Sequence, residues 1–228
     1  MRLLTTALGL LMSTSLWAQS PSPDLPGALR VQIGSNYLVD EPSNMGLGLW
    51  GSKTFNVHYM YALRLGESRV SFHPGFGIST DKLSFDDEVT LQRAGNTVEL
   101  VPLEFAEFGE VKKTKLATTY FEVPLEFRFH INKDDFKSSV KIGVGGKVGV
   151  LMSSHTKVKY ELDGETNIMK LKDNYELNRF RYGAQVNVGV AGISLYYYWG
   201  LNKLFKSGKG PEGTDATQNQ FGIAFNLF

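Results

Sequence analysis

A chain of 228 residues with Lys+Arg 24, Asp+Glu 23 and a formal net charge of +1 lacks the clustered basic excess that phosphate-backbone binding requires, which argues against a nucleic-acid partner. Its mean hydropathy of -0.16, and the lack beyond the N-terminus of any apolar run near the ~20 residues of a spanning helix, exclude a helical membrane bundle. With Cys 0 there is no disulfide scaffold, thiolate metal site, cysteine nucleophile or lipid-bearing Cys; what stands out is 12% aromatic residues beside 24 glycines.

Residues 1–18 carry Arg2, an apolar stretch from Leu3 to Met12, and small polar residues up to Ala18. That is the layout of a secretory signal peptide, the alternative being an N-terminal anchor helix for which the apolar stretch is short. Cleavage after Ala18 would remove Arg2 and leave 23 side chains of each sign. Residues 19–27, with Pro21, Pro23 and Pro26, read as an exposed leader, and residues 28–228 as one domain.

From Leu29 onward apolar and polar residues alternate with period two, the pattern of strands with two unlike faces. The first strand sets Leu29, Val31, Ile33 and Tyr37 against Arg30, Gln32, Gly34 and Asn36. The second runs from Phe55 through Val57, Tyr59, Tyr61 and Leu63 to Leu65, and after the Gly66-Glu67-Ser68 turn the third carries Val70, Phe72, Pro74, Phe76 and Ile78. The fourth puts Phe121, Val123, Leu125, Phe127, Phe129 and Ile131 on one face and Glu122, Pro124, Glu126, Arg128 and His130 on the other. The fifth spans Val140 to Val150, the sixth Phe180 to Val190, the seventh follows the Ala191-Gly192 hairpin from Ile193 to Leu201, and the eighth runs through Phe221 to Leu227. Connections after strands two, four and six are short. Those after one, three, five and seven are long, which with tilted strands of ~10 residues is the plan of an outer-membrane barrel whose termini share the periplasmic, short-turn end. Residual alternation at Thr97 to Phe105 and His155 to Tyr160 predicts that strands three to six continue beyond the membrane as hairpins.

Alternation is common to a membrane barrel, apolar outside, and a soluble lipocalin-like carrier, apolar inside. The polar phase decides for the membrane: it repeats glycine at Gly34, Gly75, Gly77, Gly143, Gly145, Gly149, Gly183, Gly189, Gly200 and Gly222, which weakens a solvent-facing strand but makes room in a crowded lumen. Aromatic residues near the strand ends, such as Phe55, Phe129, Tyr182 and Trp199, suit an interfacial girdle. The fold class is therefore all-β, an eight-stranded antiparallel up-and-down transmembrane β-barrel with extended external hairpins.

In these phases Arg30, Arg64, Arg69, Arg128, Lys141, Lys147, Arg179 and Arg181 face the lumen with Glu122 and Glu126. A packed network in which each glutamate bridges neighbouring arginines satisfies the requirement that buried charges be paired, and an interior just filled by side chains argues against a diffusion porin. The two glutamates lie ~13 Å apart along the strand, beyond the ~5 to 9.5 Å of paired-acid glycosidases. His58, His73 and His130 fall in the lumen phase of strands two, three and four, and three imidazoles or a His beside a Ser would suit zinc or acyl transfer. With no HExxH, no GxSxG and no histidine pair on one strand, they read as satisfied lumen side chains, with no metal and no cofactor. The run Gly143 to Gly149 lacks the phosphate-loop pattern, and the loop Phe205 to Thr217 reads as a mobile external loop whose lysines also suit a lipopolysaccharide contact.

Tyr120-Phe121-Glu122-Val123-Pro124-Leu125-Glu126-Phe127 resembles the Tyr-aliphatic-Glu-aliphatic-Pro-aliphatic signature of the outer-membrane β-barrel family of Bacteroidota that includes PorT-like proteins, and Val57 to Gly66 with Phe72 to Gly77 is similar to its first hairpin. The resemblance implies an eight-stranded barrel without assigned activity, in one branch an accessory of a secretion apparatus. Phe228 departs from the usual terminal aromatic, since Phe221, Ile223, Phe225 and Leu227 occupy the other phase. The functional expectation is a non-enzymatic structural or protein-interaction component with outer-membrane lipid around it and envelope proteins as partners through Thr80 to Thr114 and Ser153 to Asn178. The alternatives are a lipid-modifying acyl hydrolase or transferase and a soluble carrier.

Overall fold

Strand-forming residues in two phases build long antiparallel ladders in the computed structural model, which describes residues 27–42, 45–48, 50–85, 88–104, 109–132, 135 and 138–227. The expected signal peptide, most of the leader and Phe228 lie outside the described residues. The elements are β1 (Gly27–Val39), β2 (Lys53–Tyr61), β3 (Leu63–Arg64), β4 (Val70–Phe85), β5 (Val89–Ala94), β6 (Thr97–Pro102), β7 (Glu110–His130), β8 (Val140–Leu162), β9 (Glu165–Lys172), β10 (Phe180–Val190), β11 (Ile193–Gly200), a 3-10 turn (Pro211–Gly213) and β12 (Thr217–Leu227).

Eight of these close a ring. Hydrogen-bonded pairing runs β1-β2-β4-β7-β8-β10-β11-β12 and returns to β1 through Val31↔Phe225 and Ile33↔Ile223, with every pair antiparallel. Closure removes the exposed edges that an open sheet of this length would present. The apolar phase points outward: Val144 is 60% exposed, Phe127 53% and Leu195 67%, whereas Glu122 and Glu126 on the opposite face are 0% and 3% exposed. A lipid-facing exterior and a polar interior are the reverse of a lipocalin-like carrier.

Beyond the membrane-facing belt the interior changes character. At the long-loop end the inward positions Leu83 and Phe85 of β4, Leu91 of β5, Val98 of β6 and Leu116 of β7 join Leu38, Met45, Tyr175, Leu177, Leu204, Phe205 and Ala216 in one buried hydrophobic cluster. The β5–β6 hairpin, closed by Gly95 at φ +61°, folds onto this cap through Leu91 and Val98, which are 0% and 1% exposed. Phe205 is fully buried, so the loop after β11, expected from its glycines and lysines to be mobile, is anchored at its start.

The expected continuation of the strands holds for β4, β7 and β8 but not for the sixth barrel strand. β10 begins at Phe180, level with Val150, and the outer half of β8 pairs instead with the separate β9, from His155↔Lys172 to Leu162↔Glu165. Between β9 and β10 the backbone turns through positive φ at Tyr175 and Glu176, both 47°, which delivers Tyr175 and Leu177 to the cap. The sheet therefore forks at residues 151–154. A β-bulge marks the fork: pairing passes from Thr119↔Ser153 to Tyr120↔Leu151 and leaves Met152 as the extra residue.

Candidate functional site

The polar lumen is the candidate site, and its layers follow from register. At one level His58 pairs with Gly77, Gly77 with Glu122, Glu122 with Gly149 and Gly149 with Arg181. Across these five strands glycine alternates with a charged or polar side chain. A Cβ at Gly149 would lie 3.1 Å from Glu122 Cγ and 3.2 Å from Arg181 Cγ, so the missing side chain is the space those two occupy.

Glu122 is the hub of the first cluster. Arg181 donates to its Oε1 from Nε at 2.8 Å, Lys147 Nζ donates to Oε2 at 3.3 Å, and His58 Nε2 lies 3.0 Å from Oε2. Arg181 also pairs with Asp81 and donates to Ser79 Oγ at 2.6 Å. Gln220 connects the set, accepting from Lys147 at 3.2 Å and donating to Asp81 Oδ1 at 3.0 Å. Two aromatic faces cover the cations: Arg181 stands 3.9 Å over the Tyr120 ring and Lys147 Nζ 4.3 Å over that of Tyr198.

Glu126 organises a second cluster. Arg30 grips it with both terminal nitrogens, at 2.6 and 3.0 Å, a fork-on-carboxylate arrangement. Arg128 donates to Oε1, and Asn187 Nδ2 donates to Oε2 at 2.6 Å. Arg30 also reaches Asn226 Oδ1 at 3.1 Å, tying β1 to β12 beside the point of closure. Buried in the two clusters are the cations Arg30, Arg128, Lys147 and Arg181 and the anions Asp81, Glu122 and Glu126; Lys141, also buried, donates to the Ala191 carbonyl.

A third, smaller group sits toward the short-turn end, where Ser71 Oγ lies 2.8 Å from His73 Nε2 and 3.1 Å from His130 Nε2. The three lumen-phase histidines are thus split: His58 belongs to Glu122, while His73 and His130 share Ser71. Among the described residues no three His, Asp or Glu side chains gather as a metal site.

Three of the arginines assigned to the lumen by phase are exposed instead of buried with the two clusters. Arg64 lies in the right phase, opposite Ser71, but on the two-residue β3 at the open rim; Arg69 lies at the end of the adjoining turn, and both are exposed. Arg179 precedes β10 and is exposed beside the fork. Period two fixes the face of a residue but not its height, and at the rims the same phase opens to solvent. Conversely, Asp81 falls in the sequence within the long external stretch Thr80 to Thr114, whereas it is 1% exposed inside the barrel. Counting two by two from Ser71 through His73, Gly75, Gly77 and Ser79 would have reached it. Gln220 is likewise in step with Gly222.

Comparison with known families gives a match between residues 18–206 and a family model described as an outer membrane protein beta-barrel domain. No curated protein matches the sequence.

Proposed function

The chain belongs to the outer membrane protein beta-barrel domain family, and on that premise we propose that it is a non-enzymatic structural or protein-interaction component of the outer membrane, with its termini in the periplasm and its long loops outside. In its narrower form the proposal makes it an accessory of a PorT-type secretion apparatus. One observation carries the reading: the three lumen carboxylates are each engaged by two or more partners from other strands. Charges so matched within a filled barrel hold strands together, and the hydrophobic cap closes over them. What remains for partners is the outer surface of the β5–β6 hairpin and the tip of the β8–β9 hairpin, around Leu162 and Glu165. The test is twofold. Native-membrane cross-linking through these hairpins should capture envelope proteins, and planar-bilayer recording should show no conductance steps. Steady open-channel currents, or capture of no protein by any hairpin position, would sink the proposal.

A second reading is supported by the contact of Ser71 with two imidazoles, the pairing an acyl-transfer nucleophile needs. A Ser71→Ala change that alters the lipid profile of the membrane while the barrel still folds would favour it; an unchanged profile would leave Ser71 as a structural bridge.

A further inference from the structure

The fork in the sheet opens a cleft of about 630 Å³ beside the lipid-facing belt, within the size range of small-molecule sites. Below it lie apolar side chains that face outward, Met152 at 61% and Phe180 at 58% exposure. Its walls carry Lys172, Arg179 and Lys206 together with Asp173. Two of these charges are already engaged: Asp173 accepts from Arg93 Nε at 3.0 Å, and Lys206 reaches Glu176 at 2.8 Å. Lys172 and Arg179 have no carboxylate within 4 Å among the described residues.

From Lys172 the positive charge continues over the outward face of β7–β9. Register places Lys115 directly opposite Lys157 and Lys157 opposite Lys170, three ammonium groups in one row across three strands. Lys113 opposes Lys159, and His155, beside Lys172, opposes Ala117, which opposes Lys82. Like charges directly opposite on a sheet destabilise it. Burial, then Lys82, Lys157, Lys113 and Lys170, push the Lys115 ammonium below its ordinary pKa. The carboxylates of this sheet that make ion pairs are at its tip, where Glu110 and Glu161 hold Lys112 at 2.6 and 3.4 Å. None of the lysines in the rows has a carboxylate within 4 Å among the described residues. The face is built for a negative charge that the chain itself does not supply.

The height of the face identifies the class of anion. Arg179, whose carbonyl accepts from Leu151 N, marks the lowest tier, level with Tyr120, and Lys113 the highest. Seven residues at ~3.3 Å, on strands tilted ~40°, give a rise of about 18 Å. The headgroup layer of a phospholipid leaflet is only about 5–8 Å deep. A phosphodiester headgroup would meet the first tier alone, whereas a tall phosphorylated saccharide head would meet all of them.

We propose that the fork and the lysine rows beside it bind the phosphate groups of a phosphorylated glycolipid in the leaflet around the long-loop end. The inference rests on the membrane orientation given under the proposed function and adds to it a lipid ligand and a site. The acyl chains would lie against Met152 and Phe180, one phosphate between Lys172 and Arg179, and the saccharide-borne phosphates along the Lys115–Lys157–Lys170 row.

The test uses the full mature chain refolded into nanodiscs of phosphatidylcholine alone, or with bis-phosphorylated lipid A, dephosphorylated lipid A or phosphatidylglycerol, with inorganic phosphate as a soluble control. Lipid retention is read by native mass spectrometry and stability by thermal unfolding. Bis-phosphorylated lipid A should be retained and should raise Tm. The Lys172→Gln/Arg179→Gln variant should bind it about 25-fold more weakly, at about fivefold for each charge removed at a membrane surface. The Lys115→Gln/Lys157→Gln/Lys170→Gln variant should be more stable than the parent in phosphatidylcholine, because the repulsion is gone, and should lose the stabilisation by lipid A. That reversal of sign is not expected of residues that are merely structural. Equal retention of dephosphorylated lipid A, equal stabilisation by phosphatidylglycerol or inorganic phosphate, or wild-type binding by both variants would overturn the proposal. A chain that inserts into none of the discs would instead defeat the barrel reading on which it stands.

Discussion

Neutralising Glu122 isolates what the lumen network contributes. In Glu122→Gln the side-chain volume is kept but the carboxylate that serves Arg181, Lys147 and His58 is gone. Arg181 retains Asp81 and Ser79. Lys147, whose side chain is 1% exposed, is left with Gln220 as its hydrogen-bond acceptor. A buried charge stripped of its counter-charge costs about 3–5 kcal/mol, and exposures of 0–8% across the cluster leave little for solvent screening to relieve. Removing the cation as well should recover part of the loss: Glu122→Gln/Lys147→Gln should be more stable than the sum of its single changes by about 1–3 kcal/mol. Glu126 supplies the control. It sits ~13 Å further along β7 with its own partners, so Glu122→Gln and Glu126→Gln should add to within about 0.5 kcal/mol. The assay is urea unfolding in liposomes, followed by tryptophan fluorescence and by the heat-modifiable gel shift of the folded barrel. A loss below about 1 kcal/mol for Glu122→Gln, set against the penalty expected of an unpaired buried charge, or a double variant no better than additive, would refute the assignment of Glu122 as hub.

Three further outcomes follow from the same structure. Phe205→Ala, at a fully buried position of the cap, should cost about 3–5 kcal/mol, and limited proteolysis should then cut within residues 88–104 while the gel shift persists; loss of the gel shift would show that cap and barrel are one cooperative unit. Gly145→Val should abolish insertion in a liposome assay, since a Cβ there would lie 2.0 Å from the Leu125 carbonyl oxygen and a backbone atom cannot yield; normal insertion would contradict the strand packing. The last concerns pH. Burial opposes ionisation of Asp173, but hydrogen bonds from Arg93 and the Asn174 backbone outweigh it and hold the carboxyl below its ordinary pKa, and the bond from Lys206 does the same for Glu176. A depressed carboxylate stabilises the folded state above its unfolded pKa and loses that contribution as pH falls through the folded value. The docking of the β5–β6 hairpin through Arg93 should therefore be constant from pH 5 to 8 and weaken below about pH 4. Hydrogen exchange at residues 89–97 reads it, and protection at pH 3 equal to that at pH 7 would rule it out.

Strand number, pairing order and the face of each residue were legible because a two-sided sheet writes its burial into every second position. Val144 outward and Lys147 inward needed no more than counting. The clusters were half legible. Glu122 and Glu126 with Arg30, Arg128, Lys147 and Arg181 stood in the right phase, but which cation meets which carboxylate depends on register between strands distant in sequence, as for Arg181 and Asp81. Arg64, Arg69 and Arg179 show the limit from the other side, since phase is silent about height. The cap was illegible for a different reason. Leu91, Tyr175, Leu204 and Phe205 lie in connections without sustained alternation, and only their convergence in space makes them a core.

Met152 has a consequence beyond the local kink. One residue more or less in a strand exchanges its two sides, so everything distal to Met152 on β8 is read in the opposite parity from everything before it. Val148 and Val150 face lipid as even-numbered residues, and His155, Lys157 and Lys159 point outward as odd-numbered ones. Excising this single methionine would restore one uninterrupted parity and swing the lysines toward the apolar interior of the cap, with Thr156 and Val158 taking their place outside. The bulge is therefore a point of punctuation, allowing one strand to be spelled for hydrocarbon in its first half and for water in its second. In chains of this kind an insertion or deletion of one residue is a change of meaning for the whole segment that follows, whereas an insertion of two is only a change of length.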